Sequence, residues 1–155
     1  MKILITGASG QDGILLINYL LQNGLDVDIY ALSQNSKRFF VNLNEIGGPQ
    51  LTEVFNHKGQ FITCDINDHK KITAHLELIQ PNAIFHLAAQ VEPLLKAKNE
   101  SEILKNNMSG LIHILEGCDQ LQIFPHIINA GSSLMFGNVE GGVASEKTPF
   151  QPLTT

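Results

Sequence analysis

Residues 6–13 read Thr-Gly-Ala-Ser-Gly-Gln-Asp-Gly and follow directly on the apolar run Ile3-Leu4-Ile5. This pattern predicts a strand, a tight glycine turn and a helix that extends roughly from Gln11 to Asn23. The first glycine permits a positive φ, the second lets the backbone approach a phosphate, and the third lets the helix pack closely against the strand. Because the free N–H groups and positive dipole end of this helix would face the turn, the sequence predicts a site for the pyrophosphate of a dinucleotide.

The composition limits the kinds of protein that this chain can be. A chain of 155 residues with 43% hydrophobic and 16% charged residues is typical of one soluble α/β domain. The net charge of −5 argues against a nucleic-acid surface, and no apolar run approaches the roughly 20 residues that span a bilayer. The chain begins at once with a strand and shows no signal peptide, so we expect a cytoplasmic protein. In such a protein Cys64 and Cys118 are interpreted as core residues without a disulfide.

Strand and helix signals alternate along the whole chain. Apolar runs predict strands at 2–6, 27–32, 60–64, 83–87 and 126–130, and helical periodicity predicts helices at 12–23, 38–46, 68–79 and 101–121. Since crossovers between parallel strands are right-handed, residues 1–155 are predicted to form a doubly wound parallel sheet, the Rossmann fold, with strand order 3-2-1-4-5. A ligand would lie at the carboxyl ends of the strands, near the switch point between the first and fourth strands.

Helical spacing and capping residues refine this prediction. Asn67 is the predicted N-cap of the third helix, and Gly47-Gly48 is predicted to end the second. One face of the first helix is predicted to contain Leu15, Leu16, Tyr19 and Leu20. The apolar face of the long fourth helix is predicted to contain Ile103, Leu104, Met108, Leu111, Leu115 and Cys118.

The end of the second strand bears on the choice between NAD and NADP. An NAD site would show a carboxylate near Ala31 for the ribose 2′-hydroxyl, but no acid occurs there. The following stretch contains Ser33, Lys37 and Arg38, whose hydroxyl and cationic groups suit a 2′-phosphate. We therefore predict NADP as the cofactor, with NAD as the alternative. In the alternative reading, Lys37 and Arg38 are a solvated pair in a loop.

Polar or small residues also follow the other strands. Asp65 can accept a hydrogen bond from the adenine amino group, and Leu87-Ala88-Ala89 lets the backbone pass close to a ribose or nicotinamide. The amide of Asn107 could bind a loop or a water near the site, and Ser132 could donate a hydrogen bond to a substrate oxygen. The structural alternative is a helix cap for Asp65, a tolerated polar residue for Asn107 and a turn serine for Ser132. His86, beside an apolar run, is interpreted as a core histidine.

Taken together, these segments resemble the extended short-chain dehydrogenases/reductases, specifically the NAD(P)-dependent sugar-nucleotide epimerases and dehydratases. The matching segments are Thr6-Gly7-x-x-Gly10-x-x-Gly13, Asp65-Ile66, Leu87-Ala88-Ala89, Asn107-x-x-Gly110 and Ser132-Ser133-x-Met135-Phe136-Gly137. The stretches Gly10–Gly13 and Met135–Gly137 are most similar to the GDP-mannose 4,6-dehydratases. Leu20–Gly24 and Asn35–Arg38 are also similar to UDP-galactose 4-epimerases.

The resemblance implies a chemistry and a set of site residues. Bound NAD(P) would take a hydride from C4 of a nucleotide-linked hexose, which would then epimerise, or lose water and take the hydride back. Ser132 matches the residue that hydrogen-bonds the sugar oxygen and is the predicted catalytic residue. No metal is predicted. The predicted cofactor-binding residues are Gly7, Gly10, Gln11, Asp12, Gly13, Ser33, Lys37, Arg38, Asp65, Ile66, Leu87, Ala88, Ala89 and Asn107.

Two departures from the family pattern qualify this reading. Leu134 stands where the dehydratases have a Glu that helps eliminate water, and a Leu cannot move a proton. The family's Tyr-x-x-x-Lys motif would begin just past Thr155. We therefore expect a chain truncated before the sixth strand and the substrate lobe. Such a chain would be inactive by itself, whereas its full-length parent would be an enzyme.

The predicted function is the NAD(P)-binding half of a GDP-mannose 4,6-dehydratase-type enzyme that acts on a nucleotide-linked hexose, with a GDP-sugar favoured. The alternatives are a nucleotide-sugar 4-epimerase or 4-reductase, and a stand-alone NAD(P)-binding interaction module. No nucleic-acid or membrane partner is expected. The family's dimer helices lie partly within the long helix from Ser101, so a homodimer or higher homo-oligomer is the expected assembly.

Overall fold

The computed structural model describes residues 1–89, 100–139 and 141–153, with the backbone alone described for residues 100–106. Within these residues the strands are β1 (Lys2–Thr6), β2 (Asp28–Ser33), β3 (Gly59–Thr63), β4 (Ala83–His86) and β5 (His126–Asn129). The α-helices are α1 (Gln11–Gln22), α2 (Ser36–Lys58), α3 (His69–Ile79) and α4 (Glu100–Leu121). A short 3₁₀ helix, Ser133–Phe136, follows β5 in a region for which no element was predicted.

The strands form a parallel sheet in the order β3-β2-β1-β4-β5, which confirms the predicted Rossmann topology. The central strand β1 pairs with β2 on one side and with β4 on the other. Its last residue, Thr6, is aligned with Leu32 and with His86. Because the chain leaves β1 toward one edge of the sheet and later returns to β4 on the other side, a crevice opens at the carboxyl ends of these strands.

Side-chain alternation along β1 produces a core on each face of the sheet. Ile3 and Ile5 pack with apolar residues of α1 and α2, whereas Leu4 packs on the opposite face with residues of α3 and α4. All three side chains are at most 1% exposed, as expected for a strand that is covered on both faces. Cys64 and Cys118 lie in the second core as free, buried thiols, which confirms their predicted role.

The buried face of α1 differs from the predicted one. Ile14, Ile17 and Leu20 are buried, whereas Leu15 and Tyr19 are 45% and 62% exposed. The reason is Gly13, at which a Cβ would lie only 2.7 Å from the Cα of Ala8. This close contact turns Gly13 and the residues one and two turns later toward the sheet, and it turns Leu15 and Tyr19 away.

Helix α4 is also rotated relative to the prediction. Gly110, Ile114, Gly117 and Cys118 are buried, whereas Met108 and Leu115 are about half exposed. A Cβ at Gly110 would lie 2.8 Å from Ile66, and one at Gly117 would lie 2.9 Å from Leu76. The small residues therefore determine how closely α4 packs against Ile66 and Leu76. Ile103 and Leu104, also predicted on the apolar face, lie outside the residues whose side chains are described.

Helix α2 is longer than predicted. The expected stop at Gly47-Gly48 is present as a kink, since Gly48 has a φ of +75°, and Pro49 begins a further helical segment that extends to Lys58. No element was predicted for residues 49–58. The segment is fixed by tertiary packing, because Phe39 and Phe55 bury their rings with centroids 5.1 Å apart.

Smaller differences concern element ends. β2 ends at Ser33 and α2 begins at Ser36, whereas the strand was predicted to end at residue 32 and the helix to begin at residue 38. The N-cap of α3 is Asp68, whose side chain accepts a hydrogen bond from the Lys71 N–H, and not Asn67. The Asn67 N–H is instead bound to Oδ1 of Asp65 at 2.9 Å.

Candidate functional site

A cavity of about 650 Å³ lies at the carboxyl ends of the strands, at the predicted switch point. It is bordered by the glycine turn after β1, the end of β2, the loops after β3 and β4, and one residue of α4. The described residues that line it are Gly7, Ser9, Gly10, Leu32, Ser33, Gln34, Asn35, Arg38, Cys64, Asp65, Ile66, Asn67, Leu87, Ala88, Ala89 and Asn107.

The glycine turn is held against the loop that follows β4. Gly7 has a φ of +70°, and a Cβ at this position would lie 2.6 Å from the backbone N of Ala88. Two independent constraints, the positive φ and the close approach, therefore exclude larger residues at position 7. The turn is closed by a 2.9 Å hydrogen bond from the Gly10 N–H to the Gly7 carbonyl.

Helix α1 begins at this turn without a side-chain cap. Its N-cap residue is Gly10, which has no side chain to accept a hydrogen bond from the first N–H groups. These N–H groups and the positive end of the helix dipole are therefore suited to an anion. The side chains of Gln11 and Asp12 in the first turn are exposed and are not among the cavity-lining residues, and Gly13 packs against Ala8 instead.

Ser9 connects the glycine turn to two neighbouring elements. Its hydroxyl lies 2.7 Å from the hydroxyl of Ser33 at the end of β2. Its carbonyl accepts a 2.8 Å hydrogen bond from Nδ2 of Asn42 in α2. Ser9 lines the cavity although the sequence analysis did not select it. Its position inside the glycine motif could have indicated it, because a hydroxyl there can contact either the ligand or a neighbouring strand.

The end of β2 and the start of α2 supply the polar wall of the cavity. Of the residues predicted to bind the cofactor here, Ser33 and Arg38 both line the cavity, whereas Lys37 is exposed and is not among the lining residues. Asn35 was not selected, although it also lines the cavity. Its side chain caps α2 by accepting a 2.8 Å hydrogen bond from the Arg38 N–H. The polar composition of residues 33–38 indicated that this segment contacts a ligand, but the sequence could not show which of its side chains face the cavity.

The loop after β3 is fixed by short hydrogen bonds. Asp65 lines the cavity and is the one carboxylate among its described lining residues. The Asp68 N–H is bound to the Asp65 carbonyl at 3.0 Å, and the Cys64 thiol donates to the same carbonyl at 3.3 Å. Burial raises the pKa of the Cys64 thiol, and the nearby carboxylate of Asp68 raises it further. Cys64 is therefore a protonated thiol in the cavity wall at neutral pH.

A buried polar pair lies next to the cavity without lining it, since each member directly precedes a lining residue, Gly7 or Leu87. Oγ1 of Thr6 and Nδ1 of His86 lie 2.7 Å apart at the ends of β1 and β4, and both side chains are at most 3% exposed. Burial lowers the pKa of His86, so its imidazole is neutral at physiological pH. This supports the interpretation of His86 as a satisfied core histidine. Leu87, Ala88 and Ala89, directly after it, line the cavity as predicted.

Helix α4 contributes Asn107, a predicted cofactor-binding residue, to the cavity lining and packs Gly110 against Ile66 and His86. Ser132 is exposed and does not line the cavity. Its hydroxyl accepts a 3.2 Å hydrogen bond from the Leu134 N–H and so caps the 3₁₀ helix. The structure thus brings most predicted residues together and leaves five outside the cavity lining: Gln11, Asp12, Gly13, Lys37 and Ser132.

Two other kinds of site were sought in the part of the chain that the structure describes. No group of three or more His, Cys, Asp or Glu side chains there could hold a metal ion. None of the helices in that part is long and apolar enough to cross a membrane.

The sequence matches the family described as GDP-mannose 4,6 dehydratase over residues 4–155. The CDP-paratose 2-epimerase of Salmonella typhi is 27% identical over 142 residues, which are 90% of this chain and 39% of that enzyme. The GDP-mannose 4,6-dehydratase of Vibrio cholerae is 26% identical over 154 residues, which are 97% of this chain and 40% of that enzyme. The chain thus spans about two fifths of the length of the curated relatives that it matches.

Among solved structures, the UDP-Glc/GlcNAc 4-epimerase of Campylobacter jejuni superposes with a TM-score of 0.80 at 24% identity. That match covers 98% of this chain and 43% of the epimerase. At this identity the likeness concerns the fold, and it agrees with the parallel sheet and its strand order.

Proposed function

The chain belongs to the GDP-mannose 4,6 dehydratase family, and we propose that residues 1–155 are the NAD(P)-binding part of a sugar-nucleotide 4,6-dehydratase-like enzyme. The observation that carries this proposal is the turn at Gly7, where a Cβ would lie 2.6 Å from Ala88 and where an uncapped helix N-terminus begins. Such a turn leaves room for a phosphate between backbone N–H groups.

The cavity residues fit the parts of a dinucleotide. The N–H groups after Gly10 would hold the pyrophosphate, and Asp65 with the neighbouring Ile66 would contact the adenine. Leu87, Ala88 and Ala89 would lie along the nicotinamide ribose, and Asn107 would order the nearby loop or a water. The exposed Gln11 and Asp12 would contribute through their backbone N–H groups, and Gly13 would hold α1 against the turn.

NADP is the proposed cofactor, and NAD is the alternative. Ser33, at the end of β2, and Arg38, at the start of α2, both line the cavity and supply a hydroxyl and a cation to it. Those two groups suit a 2′-phosphate, whereas an NAD site would place a carboxylate there. Lys37 would add only long-range attraction, because its side chain is exposed and is not among the lining residues.

When bound, the nicotinamide would accept a hydride from C4 of a nucleotide-linked hexose, with a GDP-sugar favoured, and return it after water is lost. Ser132 would donate a hydrogen bond to the sugar oxygen once its hydroxyl turns from the 3₁₀ helix. A 4-epimerase or 4-reductase is the second candidate, because Leu134 cannot supply the proton transfer that water elimination needs. A stand-alone NAD(P)-binding module would lack all of these steps.

Calorimetric titration of the chain with NADPH and NADH tests the cofactor proposal. We expect NADPH to bind more tightly, and we expect Arg38→Ala to weaken NADPH binding by about tenfold or more, the loss typical of a charge-assisted hydrogen bond. Binding of NADH to this variant should change little. Lys37→Ala is the matched control and should change the NADPH affinity by less than about threefold.

Two results would contradict the proposal. If neither nucleotide binds, the cavity is not an NAD(P) site. If NADH binds more tightly and Arg38→Ala has no effect on either nucleotide, the 2′-phosphate assignment fails and NAD becomes the cofactor.

A further inference from the structure

Asn42 lies outside the cavity lining but is bonded directly to the glycine turn. It is half-buried on α2, one helical turn after Arg38, and its Nδ2 donates to the Ser9 carbonyl at 2.8 Å. This hydrogen bond joins residues 33 positions apart in the sequence. It is one of two side-chain hydrogen bonds to Ser9, together with the one between the Ser9 and Ser33 hydroxyls.

The bond from Asn42 determines the orientation of one peptide group. A trans peptide is planar, so the Ser9 carbonyl and the Gly10 N–H point in opposite directions. Asn42 holds the carbonyl at one end of this plane, and the Gly7 carbonyl accepts the Gly10 N–H at the other end at 2.9 Å. The plane is therefore fixed from both sides, directly before the N-cap of α1.

We propose that Asn42 is a positioning residue, which fixes the Ser9–Gly10 peptide so that the first N–H groups of α1 face the pyrophosphate of the bound dinucleotide. The inference rests on the proposed NAD(P) site. Without the Asn42 amide, the Ser9 carbonyl would lose this partner, and the peptide plane would be held only at its N–H end, by the Gly7 carbonyl. Preorganised N–H groups lose part of their advantage when they must be reoriented during binding.

The proposal predicts which parts of a ligand are affected. ADP-ribose carries the pyrophosphate and should bind about three- to tenfold more weakly to Asn42→Leu, the loss expected for one neutral hydrogen bond. Adenosine lacks the pyrophosphate, so its affinity should change by less than about twofold. Leu keeps the branched shape of Asn with methyl groups in place of the amide oxygen and nitrogen, and Asn42→His, which can place a ring N–H near the same point, should restore part of the affinity.

Asn23→Leu is the matched control. Nδ2 of Asn23 donates to the Tyr19 carbonyl at 2.7 Å at the far end of α1, so the same kind of bond is removed away from the cavity. Both ligands can be titrated by NMR against the wild-type chain and the three variants. In the same spectra, the Gly10 amide should exchange its hydrogen faster in Asn42→Leu than in Asn23→Leu, because the hydrogen bond from the Gly10 N–H to the Gly7 carbonyl is weakened.

The outcomes separate the two proposals. If the wild-type chain binds no ADP-ribose, the NAD(P) site itself is wrong, and the inference falls with it. If the wild type binds but Asn42→Leu matches Asn23→Leu, Asn42 does not position the turn. Equal losses for ADP-ribose and adenosine would also overturn the inference, because they would show a general loss of the cavity.

Discussion

At the scale of single residues, two neighbouring positions at the end of β1 have opposite requirements. Gly7 must have no side chain, because Ala88 occupies the space that a Cβ would need. Thr6, its neighbour, must have a polar one, because it pairs with the buried ring of His86. An unpaired polar group in such a place costs about 1–3 kcal/mol, so neither position tolerates the residue type of the other.

Gly7→Ala should destabilise the fold and abolish cofactor binding. Gly24→Ala is its matched control, since Gly24 has a φ of +64° but nothing lies within 4 Å of its Cβ position. The control should lower the free energy of unfolding by about 1 kcal/mol, the cost of the positive φ alone. Gly7→Ala should lower it by a further 1–3 kcal/mol or so through the clash with Ala88. Urea denaturation measures both, and equal losses would show that the clash is relieved.

The buried His86 should make the free energy of unfolding depend on pH. Burial holds its pKa below the ordinary value of about 6.5, so the unfolded chain takes up the proton at a higher pH than the folded protein. The free energy of unfolding should therefore be independent of this group above about pH 6.5 and fall as the pH decreases below it, by at most about 1.4 kcal/mol per pH unit. Denaturation at several pH values measures this slope. The slope should diminish in His86→Asn, and an unchanged slope would assign it to another group.

At the scale of elements, the sequence predicted more about the strands than about the helix faces. Every strand and the strand order were predicted correctly within one or two residues, because buried parallel strands are short, apolar and separated by clear turns. The faces of α1 and α4 were predicted in part, since Leu20 and Cys118 are buried as expected. Apolar periodicity also gave weight to Leu15, Tyr19 and Leu115, which are exposed. Gly13 and Gly110, which have no hydrophobic signal, determine the faces through close backbone packing.

The corrected face of α1 can be tested with a pair of substitutions. Ile17→Ala should lower the free energy of unfolding by about 2–5 kcal/mol, because Ile17 is 0% exposed in the first core. Leu15→Ala, on the exposed face, should change it by about 0.5 kcal/mol or less. Thermal or urea unfolding of the two variants measures the difference. A larger loss for Leu15→Ala would restore the face predicted from the sequence.

In the cavity too, residues that a sequence pattern marks were predicted, whereas residues whose orientation depends on packing were missed. Its glycine turn, Asp65 and the small residues after β4 were predicted because a motif or a strand end marks them. Ser9, Asn35 and Asn67 were missed because each is a common turn or capping residue, and the sequence alone does not show which of these face a ligand. Lys37 was predicted and lies outside, since only every third or fourth residue of a helix start faces the same way.

At the scale of the whole molecule, the dehydratase, epimerase and reductase proposals differ in the product that each predicts. We expect the full-length protein that carries this chain to convert GDP-mannose, with bound NADP, to a product lighter by one water, as the dehydratase proposal requires. Mass spectrometry and NMR of the product measure this. A product of unchanged mass with inverted C4, from GDP-mannose or from UDP-galactose, would favour the epimerase candidate. Stoichiometric consumption of NADPH would favour the reductase.

The contact between the turn and the loop after β4 has a consequence for the order of assembly. Thr6 and His86 are 80 residues apart, and the shape of the turn depends on strand β4 at its side. During synthesis the glycine motif leaves the ribosome before β4, which lies 80 residues further along the chain, so its final shape must wait for β4 to emerge. Until then the nascent chain carries the motif without the binding site, so a nucleotide cannot guide the earliest folding steps.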